Sequence, residues 1–340
     1  MKNFLQKLIN KQSLSQEEMK EAATALFQQE LSDSELAGFL VALKAKGETP
    51  DEITGLVEVF RQHALPFTRS FQGVMDNCGT GGDGSQSFNI STTSAFVIAA
   101  SGIKVAKHGN RSISSKTGSA DVLEELGVNL ELPAVRSEEL LEEIGIAFLY
   151  APHVHPRLKQ IMKVRKALEI PTIFNLIGPL TNPVELDHQL LGLYERKYLA
   201  LFADVLRRLG RKRAIVVNGG GFMDEASLQG KNHIAIVENG QIANLVFSAE
   251  EVGLKAASNE EIKGGDAKEN AEILLNVLKG RKGAQRDAVL LNAGLGIYAG
   301  GKASTMQEGI AIAAEGIDSG RAYATLQALI KKSQKLEVIQ

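Results

Sequence analysis

Apolar positions in the first part of the chain recur at the spacing of amphipathic helices. Leu36, Phe39, Leu40 and Leu43, for example, fall on one face of a helix. A capping box pairs a Ser or Thr with a Glu three positions later, and each satisfies a free amide of the other. Such boxes mark helix starts at Ser15–Glu18, Ser32–Glu35 and Thr49–Glu52. No strand pattern appears before about Val74, so we predict a small all-helical unit at this end of the chain.

After Val74 the pattern changes to short apolar runs that alternate with helical stretches, which is typical of an α/β domain with a largely parallel sheet. The runs typical of strands are Val74–Cys78, Ala147–Tyr150, Arg213–Asn218, His233–Val237 and Val289–Leu291. The stretches with helical spacing are Ser91–Ser101, Ala120–Leu126, Ser137–Ile144, Arg196–Leu209, Ala267–Lys279 and Thr305–Ser319. Asn239-Gly240, between the apolar runs around Ile236 and Phe247, predicts a hairpin turn. The expected fold class is therefore α/β, with a mixed, mostly parallel central sheet flanked by helices.

The change of pattern predicts two domains, a helical domain over residues 1–70 and a larger α/β domain over residues 71–340. Pro156–Leu168 is a basic amphipathic segment that interrupts the alternation of strands and helices. We expect residues 156–185 to pack on the N-terminal helices and to complete the helical domain.

Composition and charge limit the kinds of molecule that the chain is expected to bind and the compartment in which we expect it. A net charge of -2 gives no overall attraction to nucleic acid or to an anionic membrane, so neither is expected as a partner. Cys78 is the only cysteine, which rules out an intrachain disulfide and fits a reducing cytoplasm. The N-terminus turns polar before an apolar core of signal-peptide length develops, and the longest apolar stretch, Ala95–Ala100, is too short to span a bilayer. We expect a cytoplasmic protein.

A glycine-rich loop follows the first predicted strand. Gly79-Thr80-Gly81-Gly82-Asp83-Gly84 lets the backbone approach a ligand closely and turn its amides toward phosphate oxygens. The spacing also matches the G-x-G-x-x-G of dinucleotide-binding folds, but that function needs an acidic residue about twenty positions later. There is no Asp or Glu between Asp83 and Asp121. We therefore set a nicotinamide-dependent dehydrogenase aside.

The acid-free interval carries cations and hydroxyl groups instead, which suits a site for several phosphates. Lys107 to Ser115 is predicted to be a polar loop with Lys107 and Arg111 as its cations. A helix that begins near Ser91 would direct its free amides toward an anion. For each segment a simpler role remains open: the loop can be a solvated turn, and Ser91 can cap its own helix.

Two adjacent carboxylates, Asp224 and Glu225, come after the predicted strand Arg213–Asn218 and three glycines. Mg²⁺ prefers such oxygen ligands, and ligands of open α/β sheets bind at the carboxyl ends of strands. A solvated acidic pair at the start of a turn is the alternative. His153 and His155 form an H-x-H pair without a nearby third ligand, so we interpret them as structural or as lining the entrance for the acceptor.

Five motifs, in order along the chain, resemble those of the anthranilate phosphoribosyltransferase family. They are Gly79–Asp83, Asn89–Thr92, Lys107–Arg111, Gly118–Asp121 and Phe174–Pro183. The resemblance extends to Asn292-Ala293-Gly294. It implies Mg²⁺-dependent transfer of 5-phosphoribose from phosphoribosyl pyrophosphate to the amine of anthranilate, with release of pyrophosphate, the second step from chorismate to tryptophan. It also implies a homodimer formed through the N-terminal helices.

The resemblance further implies which residues bind each substrate. For phosphoribosyl pyrophosphate these are Gly79, Gly82, Asp83, Ser87, Asn89, Ile90, Ser91, Thr92, Lys107, His108, Gly109, Asn110, Arg111, Ser112, Ile113, Ser114, Ser115 and Ser119. Anthranilate would be contacted by Gly79, Asn110 and Arg165. Mg²⁺, as two ions with pyrophosphate bound, would be held through Ser91, Asp224 and Glu225. No catalytic residue beyond these binding and metal-ligating groups is expected.

Two related activities stay open at this stage. A pyrimidine nucleoside phosphorylase shares the fold that the resemblance implies, but its basic loop reads K-x-S-x-R and it has no use for Asp224-Glu225. A nucleic-acid-binding relative of these transferases would have a basic surface and an eroded metal pair. One stretch, Ala226 to His233, departs from the Ser/Thr-Pro-Thr-rich pattern of the resembling family, which puts only the local loop in doubt.

Overall fold

A computed structural model describes residues 1–28, 31–112 and 116–334 of the chain. Its first part is helical, and each predicted capping box is formed. The hydroxyl of Ser15 accepts from the amide of Glu18 at 3.2 Å, while the Glu18 carboxylate accepts from the amide of Ser15 at 3.0 Å. The predicted apolar stripe of the third helix is buried throughout. The helices of this part are α1 (Lys2–Ile9), α2 (Gln16–Phe27), α3 (Asp33–Lys46) and α4 (Pro50–Gln62).

The remainder of the described chain is built around a seven-stranded sheet. Its strands are β1 (Val74–Asp76), β2 (Lys104–Gly109), β3 (Ile146–Tyr150), β4 (His188–Gly192), β5 (Arg213–Asn218), β6 (Lys231–Glu238) and β7 (Gln241–Ser248). They lie in the order β3-β2-β1-β4-β5-β6-β7. The first five run parallel, whereas β6 pairs antiparallel with β5 and β7. The mixed, mostly parallel sheet and its terminal hairpin are thus confirmed.

Helices flank this sheet and connect its strands. They are α5 (Ile90–Ala100), α6 (Ser119–Glu125), α7 (Ala134–Glu143), α8 (Ala151–Val154), α9 (Lys159–Leu168), α10 (Leu199–Arg208), α11 (Ala267–Leu278), α12 (Ala284–Ala299), α13 (Met306–Asp318) and α14 (Arg321–Ser333). Short 3₁₀ turns lie at Pro156–Leu158, Ile173–Asn175, Gly178–Leu180, Arg196–Tyr198, Glu250–Val252 and Asn259–Ile262. Within the described ranges no helix is long and apolar enough to cross a membrane.

The strand order places a switch point beside β1. From β1 the chain builds outward through β2 and β3 on one side, and then through β4 and β5 on the other. The loops that leave β1 and β4 therefore diverge and open a crevice at their carboxyl ends, where open α/β sheets bind ligands. The glycine loop begins at this point.

Two apolar cores lie on opposite faces of the sheet, as the side-chain alternation along β5 shows. Ile215 and Val217 belong to the core that contains α5 and α11 to α14, whereas Ala214 and Val216 belong to the core that contains α1 to α4 and α10. Ile161 of α9 lies in the second core with the N-terminal helices. Part of the segment 156–185 therefore contributes to the same core as those helices.

Two predictions about local structure are wrong. Val289–Leu291 is not a strand but the middle of the buried helix α12, because a short apolar run alone does not distinguish the two. Lys107, His108 and Gly109 are not part of a loop but form the end of strand β2. Polar residues can occupy this buried strand because their side chains find partners at the site described below. Strand β4 was not predicted at all.

Candidate active site

The loops after β1 and β4 meet directly at the switch point. Gly79 and Gly192 form an isolated parallel bridge beyond the named strands, and the amide of Thr80 donates to the Gly192 carbonyl at 3.0 Å. A Cβ at either glycine would overlap the backbone or carboxylate of Asp224. Glycine is needed at both positions because the loop that carries Asp224 lies against them.

The carboxylates of Asp224 and Glu225 each accept a hydrogen bond from a backbone amide, one in the glycine loop and the other in the first turn of α5. Oδ2 of Asp224 accepts from the amide of Gly81 at 2.6 Å, and Oε1 of Glu225 accepts from the amide of Ser91 at 3.0 Å. Gly81 adopts a φ of +69°, in the left-handed region, which lets the glycine loop turn there. The pair thus lies between the glycine loop and the first turn of α5.

A third carboxylate, Asp83, adds negative charge to this position. Its Oδ2 accepts from the backbone amide of Asp224 at 3.3 Å. Burial, together with the charges of Asp83 and Glu225, raises the pKa of Asp224 well above its usual range. Burial also raises the pKa of Glu225 to about 7, although Lys107 and the bonds from Ser91 act in the opposite direction. The chain has concentrated negative charge that a cation would stabilise.

This donor set fits Mg²⁺. Two carboxylates and the Ser91 hydroxyl, which hydrogen-bonds Glu225, are hard oxygen ligands. No cluster of three or more Asp, Glu, His or Cys side chains with metal-binding geometry occurs in the described part of the chain. Mg²⁺ commonly completes its coordination with waters or substrate oxygens.

The predicted cation Lys107 is buried, with 2% of its surface exposed. Its Nζ donates to the carbonyl of Asn77 at 3.2 Å, so the ammonium lies beside the start of the glycine loop. Its positive charge lowers the pKa values of both Asp76 and Glu225. This buried ammonium is therefore stabilised by one backbone carbonyl and by the charges of two nearby carboxylates.

Asp76 holds this part of the site together and was not predicted to have a role. It is fully buried at the end of β1, where burial raises its pKa. Its carboxylate accepts from the amide of Asn77 at 2.8 Å, the amide of His108 at 3.2 Å and Nδ2 of Asn182 at 3.0 Å. Asp76 therefore joins the ends of β1 and β2 to the segment around Asn182.

His108 and His155 lie with their rings edge to face, 5.4 Å apart. Burial and the neighbouring His155 lower the pKa of His108 to about 3, and burial lowers the pKa of His155 to about 4. Nδ1 of His108 lies 3.1 Å from the Gly178 carbonyl, which makes it the protonated nitrogen. His153 instead contacts the carbonyl of Leu132 at 2.9 Å through Nε2. The H-x-H histidines thus point to different partners, in agreement with a structural role.

Arg111 lies apart from Lys107. Its guanidinium contacts Asp121 at 3.1 Å and Glu124 at 2.7 Å, and it lies over the ring of Tyr150. Asn110 bonds locally: its side-chain oxygen accepts from the amide of Arg111 at 2.7 Å. Ile113, Ser114 and Ser115 lie outside the described residues.

Gly109 and Ser119 are brought together behind the basic strand. A Cβ at Gly109 would overlap Oγ of Ser119, which donates to the carbonyl of Asn110 at 3.3 Å. The amide of Ser112 donates to Asp121 at 3.1 Å. These contacts connect the end of β2 to the first turn of α6.

The first turn of α5 carries the other predicted polar residues. Asn89, not Ser91, precedes the helix, so the alternative in which Ser91 caps its own helix does not hold. Nδ2 of Asn89 donates to the carbonyl of Thr117 at 3.3 Å, and Ile90 is buried in the larger core. Within the described residues, Oγ1 of the buried Thr92 has no hydrogen-bond partner. Ser87 pairs with Lys263 in an isolated antiparallel bridge, and Gly82, in the glycine loop before it, adopts a φ of +78°.

Arg165 lies on α9, in the part of the chain that packs on the N-terminal helices. Its guanidinium lies 5.4 Å from the ring of Phe174 and donates to Oδ1 of Asn175 at 3.4 Å. Burial lowers its pKa. It makes no ion pair with a described carboxylate. The segment that holds it continues to Gly178, whose carbonyl contacts His108, so Arg165 is connected to the site through this segment.

Comparisons with known proteins agree with this geometry. A family model described as the helical bundle domain of a glycosyl transferase family matches residues 2–64, and one described as its a/b domain matches residues 72–323. An anthranilate phosphoribosyltransferase of Bacillus cereus (strain AH820) is 58% identical over 335 residues, 98% of each chain. This chain belongs to the anthranilate phosphoribosyltransferase family.

Solved structures of the family have the same fold. The Thermus thermophilus enzyme is 43% identical in sequence, and the match covers 98% of this chain and 99% of that enzyme's chain. Its crystal structure superposes on this chain with a TM-score of 0.93. The Saccharomyces cerevisiae enzyme, solved in complex with PRPP (phosphoribosyl pyrophosphate) and Mg, is 25% identical over 98% of each chain, with a TM-score of 0.90. The expected fold, a helical N-terminal part followed by a mixed α/β domain, is confirmed.

Proposed function

We propose that this chain is a Mg²⁺-dependent anthranilate phosphoribosyltransferase. It transfers 5-phosphoribose from phosphoribosyl pyrophosphate to the amine of anthranilate and releases pyrophosphate, the second step from chorismate to tryptophan. The observation that carries the proposal is the contact of Asp224 with Gly81 beside that of Glu225 with Ser91. A phosphate-binding loop, a helix N-terminus and a carboxylate pair meet in one place, which a pyrophosphate–metal complex requires and a nucleoside phosphorylase does not.

The diphosphate of the sugar donor is proposed to lie on the glycine loop and the first turn of α5. The amide of Gly81 already donates to Asp224, whereas Gly82, which turns at a positive φ of +78°, is proposed to present its amide to a phosphate oxygen. Lys107 supplies buried positive charge at the same end of the sheet. The remaining members of the proposed donor site are Gly79, Asp83, Ser87, Asn89, Ile90, Ser91, Thr92, His108, Gly109, Asn110, Arg111, Ser112, Ile113, Ser114, Ser115 and Ser119.

Asp224, Glu225 and Ser91 are proposed to hold Mg²⁺, as two ions when pyrophosphate is bound. Bound there, Mg²⁺ offsets the charge that grows on the departing pyrophosphate. The residues themselves must stay ionised for this purpose. Burial raises the pKa of Glu225 to about 7 and so favours the protonated form, whereas the positive charge of Lys107, and that of a metal ion bound there, would favour the ionised form that binds the metal.

The acceptor is proposed to be held by Arg165, Asn110 and the backbone of Gly79. A guanidinium fork pairs well with the planar carboxylate of anthranilate, and Arg165 is not already committed to a described carboxylate. Its place on α9, beside Phe174, would put the aromatic acceptor between the helical part of the chain and the sheet.

Placement and charge stabilisation account for the chemistry. Loss of pyrophosphate leaves a cation-like sugar, which resembles the glycosidase transition state. Donor and acceptor held face to face avoid most of the entropic barrier to their encounter. The aryl amine is essentially neutral at pH 7 and attacks C1 as pyrophosphate leaves; its N–H becomes acidic only as the new C–N bond forms, so the proton can pass to the departing pyrophosphate or to water without a dedicated general base. The low pKa of His108 fits a neutral hydrogen-bonding group rather than a proton carrier.

The domain division, the oligomeric state and the location are proposed from other observations. We infer a helical domain of residues 1–70 completed by 156–185, and an α/β domain of residues 71–340, because Ile161 shares the core of the N-terminal helices. A homodimer through the helical domain would cover the exposed apolar side chains Ile9, Val41 and Met162. A cytoplasmic location fits a chain whose single cysteine, Cys78, is a free thiol.

The test is loss of anthranilate fluorescence when phosphoribosyl pyrophosphate and Mg²⁺ are added to the native chain. The matched variant is Asp224→Ala/Glu225→Ala. Magnesium-dependent loss that is strongly reduced in the variant is expected. No loss under any condition would rule out the acceptor, and the chain would then be tested for phosphorolysis of pyrimidine nucleosides.

A further inference from the structure

Each of the two residues that follow the carboxylate pair is held by a buried asparagine from another part of the chain. Oδ1 of Asn292 accepts from the amide of Ala226 at 2.9 Å, and its Nδ2 donates to the carbonyl of the same residue at 2.8 Å. Oδ1 of Asn232 accepts from the amide of Ser227 at 2.7 Å, and its Nδ2 donates to that residue's carbonyl at 2.9 Å. Each asparagine side chain thus accepts from the amide and donates to the carbonyl of one residue, which is the pattern of hydrogen bonds that a paired β-strand would provide.

The two asparagines come from different elements and are both fully buried. Asn292 lies on α12, where its Nδ2 also donates to the carbonyl of Ala288 at 2.9 Å, and Asn232 lies on β6. A buried amide or carbonyl that loses its partner has no water to replace it, which destabilises the fold. A shift of the backbone at Ala226 or Ser227 would break two such bonds at once, so the chain is fixed at both residues.

The other side of the same loop is fixed by close approaches that only glycine allows. A Cβ at Gly219 would overlap the carbonyl of Glu225, and a Cβ at Gly192 would overlap that of Asp224. The loop is therefore confined on one side by close packing against Gly192 and Gly219, and on the other side by the hydrogen bonds of Asn232 and Asn292. Such confinement is more than the fold of an ordinary surface turn requires.

We propose that Asn292 and Asn232 are positioning residues that hold Asp224 and Glu225 in the geometry that binds Mg²⁺. The inference rests on the proposed function, in which this pair holds the metal. Mg²⁺ demands near-ideal octahedral geometry, so a displaced carboxylate weakens its binding. Asn232 belongs to the stretch Ala226 to His233, which departs from the pattern of the family, so this chain supplies the contact from its own sequence.

A purely structural role predicts loss of stability without a change in metal affinity. The experiment therefore compares Asn232→Ala and Asn292→Ala with Asn218→Ala. Asn218 is an equally buried asparagine, and it bonds the Leu193 carbonyl at 2.7 Å and Nε of Arg196 at 3.1 Å instead of residues 224–227. All three variants lose comparable buried hydrogen bonds, which makes Asn218→Ala the control for stability.

Two quantities are measured for each protein. One is the Mg²⁺ concentration that gives half-maximal turnover at fixed phosphoribosyl pyrophosphate. The other is the rise in Tm that Mg²⁺ adds to phosphoribosyl pyrophosphate alone, which does not depend on catalysis. We expect Asn232→Ala and Asn292→Ala to raise the Mg²⁺ midpoint about tenfold or more and to reduce the Tm rise. Asn218→Ala should keep the native midpoint even where its Tm falls equally.

Equal Mg²⁺ midpoints in the native chain and both positioning variants would overturn the proposal, as would an equal increase in Asn218→Ala. If Asn292→Ala does not fold, Asn232→Ala decides the question alone, because it removes one side chain of a strand and no part of the α12 core. A native chain that neither consumes anthranilate nor gains stability from Mg²⁺ would instead refute the proposed function.

Discussion

Arg111 and Glu124 form a two-pronged ion pair. Nη1 of the arginine lies 2.7 Å from Oε2 of the glutamate, and Nη2 lies 2.8 Å from Oε1. Asp121 adds a third contact at 3.1 Å. Arg111 is also a proposed ligand of the sugar donor's phosphates. The carboxylates and the phosphates therefore compete for one guanidinium, and Arg111 must leave Glu124, at least in part, when the donor binds.

Replacing Glu124 by Gln should strengthen donor binding. An exposed ion pair contributes about 0.2–1 kcal/mol, so the Kd for phosphoribosyl pyrophosphate should fall about two- to fivefold. Calorimetric titration in the presence of Mg²⁺ measures this directly. Glu125→Gln, one position further along α6, is the control and should leave the Kd unchanged. In an Arg111→Gln background the effect of Glu124→Gln should disappear, and persistence of the effect there would show that another residue carries it.

Neutralising the metal pair should stabilise the chain when Mg²⁺ is absent. The pKa of Glu225, raised to about 7 from an ordinary 4.5, means that the folded chain binds more protons than the unfolded chain between those pH values. The free energy of unfolding therefore decreases as the pH rises from 4.5 to about 7. At pH 8 the side chain is ionised and destabilises the folded chain. Glu225→Gln should therefore melt several degrees higher than the native chain at pH 8.

The comparison of Glu225→Gln with the native chain has two controls, a measurement at low pH and the addition of Mg²⁺. At pH 4, below both pKa values, the gain of Glu225→Gln should vanish. Addition of Mg²⁺ to protein that already contains phosphoribosyl pyrophosphate at pH 8 should raise the Tm of the native chain further and add almost nothing to that of the variant. A variant that melts below the native chain at pH 8 without Mg²⁺ would show that the carboxylate stabilises the fold, contrary to the expectation.

The sequence predicted those parts of the molecule in which local chemistry decides the structure. The capping boxes at Ser15 and Ser32 form because each uses residues three positions apart. The hairpin at Asn239-Gly240 forms because few other residue pairs adopt the required turn. The glycine loop and the Asp224-Glu225 pair stood out for the same reason, since each is a compact run of unusual residues.

The parts that were missed depend on contacts distant in sequence. Lys107 and His108 look like loop residues, and they occupy a buried strand only because Asn77, Asp76 and Gly178 provide their partners. Val289–Leu291 lies in a helix because α12 continues on both sides of it, a fact that a three-residue run does not contain. The roles of Asp76 and Gly192 emerge only when β1 and β4 are placed side by side.

Arg165 is expected to control affinity for the acceptor and not for the donor. Arg165→Lys keeps the charge but loses the two-pronged contact with a carboxylate, so the KM for anthranilate should rise about tenfold or more while the KM for phosphoribosyl pyrophosphate stays near its native value. Lys166→Gln, an exposed neighbour on α9, is the control and should change neither constant. A parallel rise in both KM values would place Arg165 outside the acceptor site and make its contact with Asn175 structural.

Acid should destabilise the chain through the packed histidines. Burial lowers the pKa of His155 to about 4 from an ordinary 6.5, so the unfolded chain binds more protons than the folded one in between. The stability associated with this neutral ring is present above pH 6.5 and is lost as pH falls toward 4. The loss attributable to His155 over that range is about 3 kcal/mol. Asp224 and Glu225 change stability in the opposite direction over an overlapping range, so the native curve alone does not isolate it.

The difference between the native chain and His155→Phe removes that overlap, because both proteins carry the same carboxylates. Phe retains the ring that packs against Phe60 and His108 but does not titrate. Urea unfolding at several pH values should show the free energy of unfolding falling less steeply in the variant between pH 6.5 and 4, whatever its stability at pH 8. Equal slopes in the two proteins would mean that His155 is protonated in the fold without cost, and the buried histidine pair would then have no part in acid unfolding.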